Sequence, residues 1–115
     1  MEITKERLQV KLELHEKWLR GESDGQKLDL RGADLRYANL RYADLDYSCW
    51  PLWCGSLTVK TDKRIACQLA YHLCSLDCDD PEYITMRNSI LNFANQFHRV
   101  EECGRLEERE IYHEQ

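Results

Sequence analysis

Little in this chain suits nucleic acid, membrane or export. It has no basic block: over 115 residues the net charge is −5, and residues 80–115 hold −4 of it. A chain without a basic patch is poorly matched to phosphate-driven binding of DNA or RNA. No apolar run approaches the length of a membrane span, and Met1-Glu2-Ile3-Thr4-Lys5-Glu6 lacks the apolar core of a secretory leader. The expected compartment is therefore the cytosol, where the six cysteines remain thiols unless they hold metal or do redox chemistry. Glycine and proline are scarce, at 5 and 2, and no Gly/Ser linker or low-complexity stretch interrupts the chain, so one domain over 1–115 is expected. There is no P-loop, GxGxxG, HExxH or GxSxG, and no catalytic centre is announced.

What the chain has is a rhythm. Leu28-Asp29-Leu30-Arg31-Gly32 is followed by Ala33-Asp34-Leu35-Arg36-Tyr37, Ala38-Asn39-Leu40-Arg41-Tyr42 and Ala43-Asp44-Leu45-Asp46-Tyr47. A period of five is neither the 3.6 of a helix nor the 2.0 of a strand. Four units in one register resemble the pentapeptide-repeat family, over residues 28–57. That resemblance implies a short right-handed β-solenoid of about one and a half coils over 28–59; with a leader helix within 1–24 and α-helices within 61–115, the expected fold is α+β. It also implies that Leu28, Ala33, Ala38 and Ala43 face inward with the central Leu30, Leu35, Leu40 and Leu45. Asp29, Asp34, Asn39 and Asp44 then face outward, with the Arg and Tyr positions.

The rhythm runs into Ser48-Cys49-Trp50-Pro51-Leu52-Trp53-Cys54-Gly55-Ser56. Carried forward, the register puts Trp50 and Gly55 at the central position and Trp53 at the small inward one. Units twenty residues apart stack, so Trp53 is expected over Ala33 and Gly55 over Leu35, with total volume conserved. The tryptophans then close the end of the coil; the alternative is an exposed aromatic platform for a ligand.

The flanks read as helical. In residues 3–20, Leu8, Leu12 and Leu19 share a face, Glu13–Lys17 and Glu16–Arg20 are favourable i,i+4 pairs, and Gly21 suits the position after a helix. Lys60-Thr61-Asp62 opens a second helix to about Leu76, with Ile65, Leu69, His72, Leu73 and Leu76 on its apolar side. Asp80-Pro81-Glu82 is a strong helix start, followed by Met86, Ile90, Phe93 and Phe97 at helical spacing and a break at Gly104.

Chemistry-bearing residues are scattered. The set is Cys49, Cys54, Cys67, Cys74, Cys78 and Cys103, with His15, His72, His98 and His113. The register sends Cys49 and Cys54 outward from successive faces, so their sulfurs diverge. Buried cysteines acting as small hydrophobes, with no cofactor, are the main reading. A zinc site from Cys54, His72, His98 and Cys103 is the alternative. A Cys54–His72 nucleophile pair lacks any oxyanion signature. Arg31, Arg36 and Arg41 read as solvated corners of the coil, or Arg41 and Tyr42 stack on and charge a nucleotide or acidic partner.

Long pentapeptide-repeat proteins are thought to imitate duplex DNA. One and a half coils of ~4.8 Å rise roughly 7 Å, about two base pairs of ~3.4 Å, which is too short for that. The leader "LHEKWLRGESDG", "SCWPLWCGS" and "FHRVEECGRL" resemble small proteins of Gram-positive phages and integrated elements. The expected function is thus a non-enzymatic, phage-type interaction protein, a homodimer that inhibits a host defence system in the bacterial cytoplasm by binding a host protein. Its helical surfaces near Trp18 or Phe97 would pair. The working surface would be the coil end against the C-terminal helices, with Arg41, Tyr42, Trp50, Trp53, Cys54, His72 and His98. Two alternatives are a sponge that sequesters a small signalling nucleotide and a zinc-stabilised binding module.

Overall fold

The structure, a computed structural model, describes residues 3–111; His113 and the outermost ends of the expected spans lie outside them. The chain forms two compact units, one ending at Asp62 and the other beginning at Lys63. No helix among the described residues is long and apolar enough to cross a membrane.

The first unit opens with α1, Lys5–Leu19. Thr4 caps it, its hydroxyl accepting from Arg7 N–H at 3.2 Å; such a cap contributes about 1 kcal/mol. At the other end Gly21 takes φ 78. Its N–H donates to Trp18 O, and Glu22 N–H donates to Lys17 O. This is the Schellman closure that glycine permits without a Cβ penalty. Leu8 and His15 are buried on one face, while Val10 and Trp18 stay exposed.

His15 is fully buried because it replaces main-chain partners. Leu28 N–H donates to its Nδ1 at 3.0 Å. A main-chain N–H cannot accept, so Nε2 carries the ring proton and donates to Asp46 O at 2.8 Å. One imidazole thereby ties α1 to both ends of the repeats. It also stacks on Trp18, with centroids 5.7 Å apart.

The repeat period has a local cause. Asp29, Asp34, Asn39 and Asp44 each use Oδ1 to accept the N–H two residues on, at 3.0–3.1 Å. These are Asx turns. Each is followed by a tight turn in which the N–H of Ala33, Ala38, Ala43 or Ser48 donates to the carbonyl of Leu30, Leu35, Leu40 or Leu45. In the last three turns Tyr37, Tyr42 and Tyr47 sit at φ 65, 67 and 65, the positive-φ corner of a type II turn. An L-residue pays about 1–2 kcal/mol there, offset by the leucines, all buried, that the turns direct inward. The Asp/Asn position is thus partly structural, and Asp34 is itself buried.

Among the described residues no strand forms; parallel pairing is by isolated bridges. Asp29 pairs with Cys49, twenty residues on, but Asn39 pairs with Lys60, one residue further. Leu35 N–H donates to Gly55 O, so Asp34 opposes Gly55 and the slip has already occurred. It is absorbed between Cys49 and Gly55, where the 3-10 turn Cys54–Ser56 begins. The expected stacking of Trp53 over Ala33 and Gly55 over Leu35 is therefore off by one. Pro51, not Trp53, is fully buried, and Trp53 is 44% exposed. Its ring lies over Gly55, where an added Cβ would come within 2.4 Å of the indole.

The second unit holds α2 (Lys63–Cys74), α3 (Pro81–Ser89), α4 (Leu91–Ala94) and α5 (Val100–Cys103). Asp80 caps α3, accepting from Tyr83 N–H at 3.1 Å, with Pro81 in its first turn. Burial on α2 differs from expectation. Ile65, Cys67, Tyr71 and Cys74 are buried, whereas Leu69, His72, Leu73 and Leu76 are exposed. The helix is apolar on both sides, and the covered side is the one that sets Cys74 against Leu91 and Ala94. Burial also pushes the Cys67 and Cys74 thiols above their ordinary pKa.

After α2 the core follows Ile84, Arg87, Leu91, Ala94 and Phe97; of the expected Met86, Ile90, Phe93 and Phe97, only Phe97 is buried. Phe97 itself is buried within the second unit. Arg87, 2% exposed, is a buried cation that sequence patterning assigns to solvent. Its Nε donates to Cys74 O at 2.7 Å, the last carbonyl of α2, and its Nη1 to Glu107 O at 2.8 Å. A cation at a helix C-terminus meets unpaired carbonyls and the negative end of the dipole.

Two substitutions test these cores. Leu40→Asp buries an unpaired charge and should abolish the folded first unit, read as loss of its protected amides in hydrogen exchange. Arg87→Ala leaves buried carbonyls without donors and should destabilise the second unit by about 3 kcal/mol, read by urea denaturation.

Candidate ligand groove

Between α1 and the repeats of the first unit lies a groove of about 670 Å³. From α1 and the residues before it come Ile3, Lys5, Leu8, Gln9, Leu12 and Glu16; from the other side come Asp34, Arg36, Tyr37, Arg41, Tyr42 and Lys60, among others. Among the described residues of this lining are the cations Lys5, Arg36, Arg41 and Lys60 and the acids Glu16 and Asp34.

The repeat decides which cation is available. Arg31 pairs with Asp29 at 2.7 Å and Arg36 with Asp34 at 2.6 Å. In the third unit the amide Asn39 stands where the others have an acid. It keeps the turn, since its Oδ1 accepts Arg41 N–H at 3.0 Å, but offers no carboxylate. The Arg41 guanidinium consequently has no hydrogen-bond or ion-pair partner among the described residues. Beside it Tyr42 is 90% exposed, held there by its positive φ and by its N–H donating to Asp62 Oδ2 at 2.6 Å.

The other expected site residues do not join this groove. Trp50 is half-buried, Trp53 lies over Gly55, and Cys54 is exposed at the start of the 3-10 turn. His72 and His98 belong to the second unit, where both are exposed and meet Phe97 edge-on at 6.3 and 5.0 Å. Cys103 is exposed at the end of α5. Among the described residues no three His, Cys, Asp or Glu side chains gather to hold a metal ion; of the alternative zinc set, Cys54 belongs to the first unit and His72, His98 and Cys103 to the second. Sequence reading missed Lys5, Tyr37 and Lys60 as lining. It did hold the signal for Arg41, because Asn39 is the single amide among the four Asp/Asn positions.

Residues 26–47 match the family model described as Pentapeptide repeats (8 copies). The match stops at Tyr47, just before the stretch where the pairing slips by one residue. No curated protein and no solved structure matches the chain.

The carboxylates of the turns titrate low. Asp29 is lowered to about 2, first by the Arg31 side chain and then by the Arg31 N–H. Asp34 is likewise lowered to about 2, chiefly by the Arg36 side chain, with burial opposing. A carboxyl depressed in the folded state stabilises fully above its unfolded value, near 3.8, and that contribution is lost as pH falls toward about 2. Melting should therefore drop between about pH 4 and pH 2. Asp29→Asn with Asp34→Asn should flatten that drop and lower melting near neutral pH, since the amides keep the turns, as Asn39 does, but remove the titrating carboxylates and their arginine pairs. Circular dichroism melts across the range read both.

Proposed function

We propose that this chain is a non-enzymatic binding protein whose groove captures an anionic, ring-bearing ligand of the nucleotide class. The observation that carries the reading is Arg41, left without a carboxylate by Asn39, beside the exposed ring of Tyr42. A guanidinium takes phosphate oxygens in a bidentate fork, and a neighbouring ring offers a base a stacking face. Lys5 and Lys60 add positive charge. The groove volume of about 670 Å³ falls within the roughly 300–1,000 Å³ common for small-molecule sites.

The matched repeats form, on this reading, a short right-handed solenoid, supported by the parallel pairings of Asp29 with Cys49 and Asn39 with Lys60. The likeness to small phage proteins supports a role inside an infected bacterium, where withholding a signalling nucleotide blunts a host defence system.

Native mass spectrometry and calorimetry against a panel of mono-, di- and cyclic nucleotides, with inorganic phosphate as control, test this. Arg41→Ala should weaken capture about tenfold or more. Tyr42→Gly suits the positive φ and should leave melting unchanged or slightly raised while abolishing capture. No binding to any member of the panel, or equal binding by wild type and both variants, rejects the reading.

A further inference from the structure

The end of the second unit is held in an unusual way. From Gly104 to Ile111 the chain has no regular secondary structure, and side chains of the helices seize its main chain. Asn95 donates from Nδ2 to Leu106 O at 2.9 Å and accepts Leu106 N–H on Oδ1 at 2.8 Å. Asn88 treats Arg109 identically, at 2.8 and 3.0 Å. Each amide thus pairs with both main-chain groups of one residue, as a neighbouring strand would. Arg87 donates to Glu107 O between them, and Tyr71 Oη donates to Gly104 O at 2.5 Å.

Asn88, in α3, meets Arg109, and Asn95, just after α4, meets Leu106, so the strap runs antiparallel to the chain between the two asparagines. The strap itself contributes little sequence-specific contact: Leu106 packs against Cys74, Leu91 and Ala94, and Arg109 Nη1 donates to Leu76 O at 2.7 Å. Such a seat accepts an extended peptide with an apolar residue and an arginine three positions later.

The seat's occupant reaches it through one hinge. Gly104 lies at φ 106, ψ 136, a conformation that alanine adopts only with strain. We propose that the second unit is a clasp for extended peptide, and that a second copy supplies the strap: two chains pair by exchanging residues 104–111, each completing the other's seat. Exchange reproduces the bonds between strap and clasp, so it needs no new contacts there.

The test is Gly104→Ala in the full chain, which strains the closed hinge and leaves the clasp untouched. Sedimentation over a concentration series should show dimerisation strengthened at least tenfold over wild type. Adding Asn88→Ala and Asn95→Ala should restore the monomer. Excess synthetic peptide of residues 104–111 should convert the dimer to monomers, each retaining one peptide in native mass spectrometry. A folded Gly104→Ala chain that stays monomeric, with its strap either protected from or open to trypsin, overturns the proposal. If that variant does not fold, wild type is incubated at high concentration with a mass-tagged wild-type copy: mixed dimers competed away by the peptide support exchange, and their absence overturns it.

Discussion

One hydrogen bond, made four times, shapes the first unit. An Asp or Asn oxygen accepts the N–H two residues on, bending the chain so that the next leucine carbonyl can close a tight turn. Because the bond is local, it recurs wherever the short acid or amide recurs, and its period becomes the period of the structure. The inward leucines, the positive-φ tyrosines and the outward arginines are all downstream of it. It also explains why asparagine can replace aspartate in one turn without breaking the series. That exchange keeps the turn and leaves the neighbouring arginine without a carboxylate.

The two units solve the problem of unpaired backbone differently. In the first, His15 occupies the interior as a bridge, accepting one main-chain N–H and donating to one carbonyl. In the second, Arg87, Asn88 and Asn95 do so as a group, facing a terminal segment that has no neighbouring strand. Buried polar side chains of this kind cost desolvation and are tolerated because each replaces partners the main chain would otherwise lack. They are also the reason the second unit's core contains an arginine in line with Ile84 and Leu91.

Some of this was legible from residue order alone and some was not. The five-residue period, the cap at Asp80 and the closure at Gly21 follow from interactions between residues a few positions apart, and these are written directly in the chain. The slip between Cys49 and Gly55 was not legible, because a register carried forward by counting cannot show where one extra residue is absorbed. The buried face of α2 was not legible either: leucines and cysteines both read as apolar, and only the neighbouring helix decides which side is covered.

The sequence by itself determined the local turns, the inward leucines and the positions of the main helices, since hydrogen bonds over two to four residues need no distant partner. Tertiary structure alone decided that Lys5 and Lys60 share a groove with Arg41, that Trp53 rests half-exposed on Gly55, and that Asn88 and Asn95 grip the chain end. Those outcomes depend on which segments meet across long stretches of chain. A polar side chain's role is set by the backbone groups left unpaired where it lands, and that is a property of the folded chain.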